Sequence, residues 1–385
     1  MGALTPVVDA LQECVAIPSP TPPGDVAVVA DWVDGWAQRC GAEVRRQHVE
    51  PGRDNVLVTL SFGPGPRLVF NTHLDVNDPS DQRWTSPPFQ PIVRDGRLYG
   101  RGACDAKGSL VAMLAAMERL AARPAGLRGE LLLTAVMGEE AGGVGSLHLV
   151  RQGLRADGAV VGEPTELRVA CAHKGTYMRR LRVRGRAAHS GQPARGVNAV
   201  THAAALCLAY DRLNARLAAR PHPLVGPPTA AVTVLHGGTR QNTIPDLAEL
   251  IIDRRLVPGE THADADAELA GLLDGLRREW PALSLDPIEK VVSTVPLETP
   301  RDAPIVRDAL AAMAAVTGLP ATPDGFSAGC DMSKLVTIAG IPTVICGPGS
   351  LAQAHTPDEY VDLGQVEAAV RVYEGIARRF LEGPD

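Results

Sequence analysis

The sequence predicts an α/β fold: a mostly parallel sheet with helices on both faces, plus an inserted α+β, ferredoxin-like domain. Three observations predict it. Short apolar runs alternate with helical patterns through the first part of the chain. The texture changes after about residue 175 and returns near residue 299. A length of 385 residues exceeds what one hydrophobic core usually organises. The expected division is a discontinuous domain over residues 1–175 and 295–385, with an insertion over 176–294.

The elements follow in order. From Thr5 to Cys40 apolar residues recur at helical spacing, broken by "PSPTPPG", whose four prolines exclude a helix interior. "NVLVTL", "RLVFNTH", "ELLLTAVMG" and "GAVVGEP" read as buried strands. Between the second and third, Ser109 to Ala122 is rich in Ala and Leu behind a serine cap and predicts a helix. In the insertion, "YMRRLRVRGRAAH" alternates arginine with apolar residues, the pattern of a strand with one wet face. A helix from Asn198 to about Ala219, the strands "AAVTVLHGG" and "LAELIIDRRLV", a helix from Ala263 to Arg278 and the strand "LSLDPIEKVV" complete it. A helix from Ala303 to Val316, the strand "PTVICG" and a helix from Gly364 to Leu381 close the chain.

Composition excludes several functions. A net charge of -6 offers no general attraction for nucleic acid or anionic lipid. No apolar run approaches a membrane span, and "MGALTPVVDALQECVAIPS" lacks the basic start of a signal peptide, so a cytoplasmic location is expected. The 7 cysteines are scattered without a CxxC pair, which argues against a disulfide scaffold or zinc knuckle. "GGVGS" is not the dinucleotide-binding GxGxxG, and two glutamates precede it.

What remains is a small-molecule site. His73 and Asp75, Asp105, Glu139 and Glu140, Glu163, and His355 all stand just after predicted strands or in the loops that follow. In an open α/β sheet ligands bind at the carboxyl ends of the strands. Singly each is ordinary: HxD is a common surface pair, "EE" a common solvated face, and an aspartate in a glycine-rich loop a common turn residue. Together His73, Asp105, Glu140, Glu163 and His355 are an N/O ligand set without thiolate, which suits zinc, with cobalt or manganese as substitutes. Five ligands are too many for one tetrahedral zinc that keeps a water, and they fit two ions sharing a carboxylate. Asp75, two residues from His73, is expected to accept its second ring proton. Glu139 is expected to be the general base. Asp78 and Asp81 are read as a solvated turn, with Trp84 and Phe89 anchoring the loop; the remaining histidines, such as His148 and His202, are read as structural.

The motifs "THLDVN", "RWTSPPFQPIVRDGRLYGRGACDAKG", "GEE", "GEPT", "AHKGTY", "GRAAHSGQPARGVNAV", "GGTRQNTIPD", "IDRR" and "GPGSLAQAHTPDEY" run through nearly the whole chain. In this order they resemble the dinuclear zinc aminoacylases and exopeptidases, the family of acetylornithine deacetylase, succinyl-diaminopimelate desuccinylase and glutamate carboxypeptidase. "GEPT" followed by "AHKG" leans toward the first. The resemblance implies one Zn2+ on His73, Asp105 and Glu163, a second on Asp105, Glu140 and His355, and Asp105 as the bridge. It implies that Glu139 activates a metal-bridging hydroxide, that Asp75 orients His73 and that His189 stabilises the oxyanion, typically in the partner subunit of a homodimer formed through the insertion. Asn242 and Arg255 would line the substrate side. The implied reaction is removal of an N-acyl group from an amino acid or related small amine, with dipeptidase, carboxypeptidase or desuccinylase activity as the alternative. Ala106 departs from the pattern, since the family often has methionine there.

Overall fold

The computed structural model describes residues 6–382. The chain forms two compact units, one of Met1–Cys171, Thr299–Phe326 and Cys330–Asp385, the other of Ala172–Glu298 with Ser327–Gly329. Thr5, where the first expected helix begins, lies outside the described residues.

The first unit is built on a sheet of β1 (Glu43–Glu50), β2 (Arg53–Ser61), β3 (Arg67–His73), β4 (Glu130–Val136), β5 (Gly158–Val161) and β6 (Thr343–Ile345). The spatial order is β6, β5, β3, β4, β2, β1. The four strands from β6 to β4 run parallel, and β2 and β1 are added antiparallel at the edge. The parallel strands are apolar on both faces, as burial under two helix layers requires; Leu131 to Val136 and Gly158 to Val161 are buried throughout. Strand β1, "EVRRQHVE", has no apolar alternation and escapes a reading by periodicity. It forms at the edge because β2 offers it a complete backbone ladder.

The helices of this unit are α1 (Pro6–Ala16), α2 (Ala27–Arg39), α3 (Gly108–Ala122), α4 (Val144–Arg151), α5 (Pro304–Thr317), α6 (Met332–Thr337) and α7 (Leu363–Leu381). α1, α3, α5 and α7 pack together as one layer, and α2, α4 and α6 lie against the sheet separately from it. α3 is buried on nearly every side from Gly108 to Met117, consistent with its Ala- and Leu-rich sequence.

The second unit runs strand, helix, strand, strand, helix, strand. Gly175–Arg184, Thr229–Gly237, Leu247–Leu256 and Glu289–Thr294 form an antiparallel sheet, packed by helices Ala199–Leu217 and His262–Glu279. Asn198 caps the first helix through its side chain, and Thr261 and Asp264 form a capping box on the second. Along Leu247–Leu256 every second residue is buried, with Leu250, Ile252 and Arg254 facing inward. Arg254 is tolerated there because Glu260 and Glu268 take its guanidinium at 2.8 and 3.1 Å. The expected strand "LSLDPIEKVV" is two pieces, Ser284–Leu285 and Glu289–Thr294, because Pro287 lacks the N–H that a continuous ladder needs.

Leu133 is fully buried in β4, the strand that leads to Glu139. Leu133→Ala is expected to cost about 2–5 kcal/mol, seen as a lower urea midpoint.

Candidate active site

Each chemistry-bearing residue of the first unit sits at the carboxyl end of a parallel strand or in a loop beside it. His73 ends β3, Glu139 and Glu140 follow β4, and Glu163 follows β5. Asp105 lies in the tight segment Ala103–Lys107 before α3. His355 lies in the loop after β6, with φ of 63°.

The fold brings five of them together as two groups. Ligand atoms of His73, Asp105 and Glu163 lie within 4.8 Å of one another, and so do those of Asp105, Glu140 and His355. Asp105 belongs to both, and its two oxygens face different histidines. Oδ1 is 3.1 Å from His73 Nε2, and Oδ2 is 3.4 Å from His355 Nε2. Glu140 Oε2 stands 3.0 Å from His355 Nε2, while its Oε1 is buried without a hydrogen-bond partner. A buried orphan oxygen among N and O donors, with no thiolate, is what a site for a hard or borderline divalent cation presents.

The electrostatics agree. Burial and the Asp105 carboxylate push Glu163 well above the ordinary carboxylate range. Desolvation, followed by the charge of Asp331, raises Glu139 to about 8. His355 is held up at about 10 by hydrogen bonds to Asp105 and Glu140. Burial disfavours the charged ring of His73, but Asp105 outweighs it and leaves the group well above its usual value. Burial likewise opposes the charge of Asp105, which the two histidines nevertheless hold below the ordinary range. The acids thus draw protons onto the imidazoles, and a divalent cation satisfies the same demand while leaving the imidazoles neutral as ligands.

Asp75 is placed differently from the expectation. Its carboxylate is 3.9 Å from His73 Nδ1, whereas its backbone carbonyl accepts that nitrogen's proton at 2.8 Å. The carbonyl fixes the tautomer and leaves Nε2 free for the site. The carboxylate is engaged elsewhere: it accepts the backbone N–H of Glu139 at 3.1 Å and of Glu140 at 3.2 Å, and the Thr21 hydroxyl at 3.0 Å. It therefore holds the backbone of the glutamate pair.

Of this surround, Asn55 was not singled out by sequence, whereas Asp331 ends the motif "GCD", which belongs to the same resemblance. Asn55, in β2, accepts the N–H of Met137 at 3.0 Å and donates to the carbonyl of Gly145 at 3.0 Å, which clamps the glutamate loop from below. Asp331 takes Lys334 Nζ at 3.1 Å and the Ser146 hydroxyl. The only sequence signal of Asn55 is polarity inside apolar context. Trp84 lies under the Arg101 guanidinium at 5.1 Å, and Asp78 accepts from Ser80 in a turn.

The other candidates are in the second unit. His189 is exposed on the short strand Ala188–His189, opposite Thr243. Its Nδ1 accepts the Gly191 N–H at 3.1 Å, so the neutral ring carries its proton on Nε2, as an outward donor. Asn242 is adjacent, its carbonyl accepting the Ser190 N–H at 2.9 Å. Arg255 is tied to Asp253 at 2.9 Å and to the Thr176 hydroxyl at 3.2 Å. It stands near the far end of Leu247–Leu256, roughly 25 Å along the strand from the end near His189 and Asn242.

A model of the family described as Peptidase family M20/M25/M40 matches residues 69–379. The chain belongs to this family. It is a hydrolase of amide bonds by that membership. Over 343 residues it is 31% identical to acetylornithine deacetylase of Proteus mirabilis, covering 86% of this chain and 84% of the relative. An M20 family metallo-carboxypeptidase from Sulfolobus solfataricus shares the fold with a TM-score of 0.80 at 18% identity, over 98% of this chain and 99% of that one. A dinuclear metal binding peptidase of the M20 family from Bacillus subtilis does so with a TM-score of 0.72 at 15% identity, over 98% of both chains. Among the described residues no helix is long and apolar enough to cross a membrane.

The geometry around Asp75 makes a prediction. Asp75→Asn keeps the shape but turns one of the two acceptor oxygens into a donor, which then faces the backbone N–H of Glu139 or of Glu140. It is expected to lower kcat by roughly 10- to 100-fold, with metal content unchanged by elemental analysis.

Proposed function

We propose that the protein removes an acetyl-like N-acyl group from an amino acid or related small amine, with two Zn2+ as cofactor. The observation that carries this reading is the single carboxylate of Asp105, whose two oxygens face the two ligand groups. The similarity to acetylornithine deacetylase over most of both chains supports the substrate class. His73, Asp105 and Glu163 would hold one ion, and Asp105, Glu140 and His355 the other. Bound there, the ions supply Lewis acidity toward a scissile carbonyl and lower the pKa of water.

The chain's own residues do the rest. Glu139, which follows β4 beside the ligand Glu140, takes a proton and returns it to the leaving nitrogen. His189 presents an Nε2–H suited to a developing oxyanion. Arg255 offers a guanidinium for a substrate carboxylate, exchanging its bond to Asp253 for one to the substrate. Because Arg255 stands so far along its strand from His189 and Asn242, one copy of this unit does not present all three to one pocket. We infer that His189 and Asn242 serve the site of the partner in a homodimer.

Glu139→Gln is expected to lower kcat by roughly 10²- to 10⁴-fold while both metal equivalents remain bound; near wild-type turnover would refute the base. Mixing inactive Glu139→Gln with inactive His189→Ala under subunit exchange is expected to restore about a quarter of wild-type activity, since one of two sites in each mixed dimer regains both groups. No recovery would place His189 in its own chain's site. Removing metal with chelator is expected to lower Tm, with recovery on adding Zn2+; saturation at about 100 times Kd corresponds to about 2.7 kcal/mol. A panel of N-acetyl, N-formyl and N-succinyl amino acids beside dipeptides tests the substrate class, and preferential turnover of dipeptides would replace deacylation with peptidase activity.

A further inference from the structure

Behind the ligand groups, three side chains link the loop that carries Asp105 to the loop that carries His355. Glu359 is fully buried, and its Oε1 accepts the backbone N–H of Cys104 at 2.8 Å and of Asp105 at 3.0 Å. Its Oε2 accepts from Arg101 Nη1 at 2.7 Å and from the N–H of Gly102 at 3.2 Å. Arg101, only 1% exposed, donates through Nη2 to Gln82 Oε1, and Gln82 Nε2 donates to the backbone carbonyl of His355. The path thus runs from the amide of one ligand residue to the carbonyl of another. Asp358 fastens the same segments a second time, accepting the N–H and the hydroxyl of Thr85 at 2.9 and 3.0 Å.

Stability alone is a poor explanation for such a pair. Burying a carboxylate and a guanidinium costs several kcal/mol per ion, and apolar replacements are often as stable. Here the pair is used for backbone geometry. His355 needs the help: its side chain is 50% exposed and its backbone has φ of 63°, a region that non-glycine residues hold only when their surroundings fix it.

We propose that Gln82, Arg101 and Glu359 are a positioning latch that fixes the His355 loop against the Asp105 loop and so sets ion affinity at the group formed by Asp105, Glu140 and His355. The metal half of this inference rests on the proposed function. None of the three touches the reacting atoms. Gln82 controls only the His355 end, whereas Glu359 controls the backbone of Asp105, which serves both ion groups.

The test uses Gln82→Leu, at a half-buried position, and Glu359→Gln, each first checked for a wild-type circular dichroism spectrum. In metal-free protein, hydrogen exchange over residues 353–359 is expected to quicken about tenfold in Gln82→Leu; wild-type exchange would overturn the latch. In Co2+ titrations followed by calorimetry and d–d absorption, Gln82→Leu is expected to weaken one ion by roughly 10- to 100-fold and spare the other, while Glu359→Gln weakens both. kcat should fall with KM within about twofold for Gln82→Leu. Wild-type affinity for both ions in Gln82→Leu, or equal loss at both, would overturn the proposal. Fewer than two ions in the wild-type protein would instead defeat the proposed function, and the exchange measurement would still decide whether the latch holds the His355 loop.

Discussion

The constraint on which this structure depends is a concentration of negative charge. Asp105, Glu139, Glu140 and Glu163 converge where the parallel strands end, in surroundings with little water to screen them. Carboxylates so placed cannot all ionise unless positive charge is supplied. Two imidazoles supply some of it, and the shared carboxylate with a buried orphan oxygen on Glu140 marks where a cation supplies the remainder. The site has the character of a preorganised receptor for positive charge, whose own repulsion is part of its affinity.

Holding acids that repel one another requires that their loops not move apart. The structure does this through the backbone. Asp75 takes the amides of Glu139 and Glu140, Glu359 takes those of Cys104 and Asp105, and Asn55 ties Met137 to Gly145. Loops at strand ends have amides without ladder partners, and a buried acceptor satisfies them while locking their geometry. The ligand side chains are thereby fixed by a surround that is itself polar and buried, which is how a functional group is held to within a fraction of an ångström.

The second unit solves another problem. Its core of Leu181, Leu206, Leu213, Leu250, Ile252 and Leu273 makes a rigid sheet and helix layer, from which short exposed segments project. The tautomer of His189 is set locally by Gly191, so its donor direction needs no catalytic partner. The long strand Leu247–Leu256 separates that donor from Arg255 by roughly 25 Å.

By itself the sequence determined the fold class, the family and the residues able to hold metal, because these depend on local signals: apolar runs ending in His or acid, and motifs preserved in order. It did not reveal β1, whose polar residues pair only because β2 is present, nor the break at Pro287 within the last strand of the insertion. It suggested that the Asp75 carboxylate holds His73, since both lie on one strand face; only the tertiary structure turned that carboxylate to the amides of Glu139 and Glu140 and gave the imidazole a backbone carbonyl. The link of Arg101 to Glu359 spans 258 residues and had no local signal, because a buried ion pair is defined by which loops meet in space. Periodicity and motif fix what a residue is able to do, whereas which group it actually bonds is decided by the convergence of distant segments.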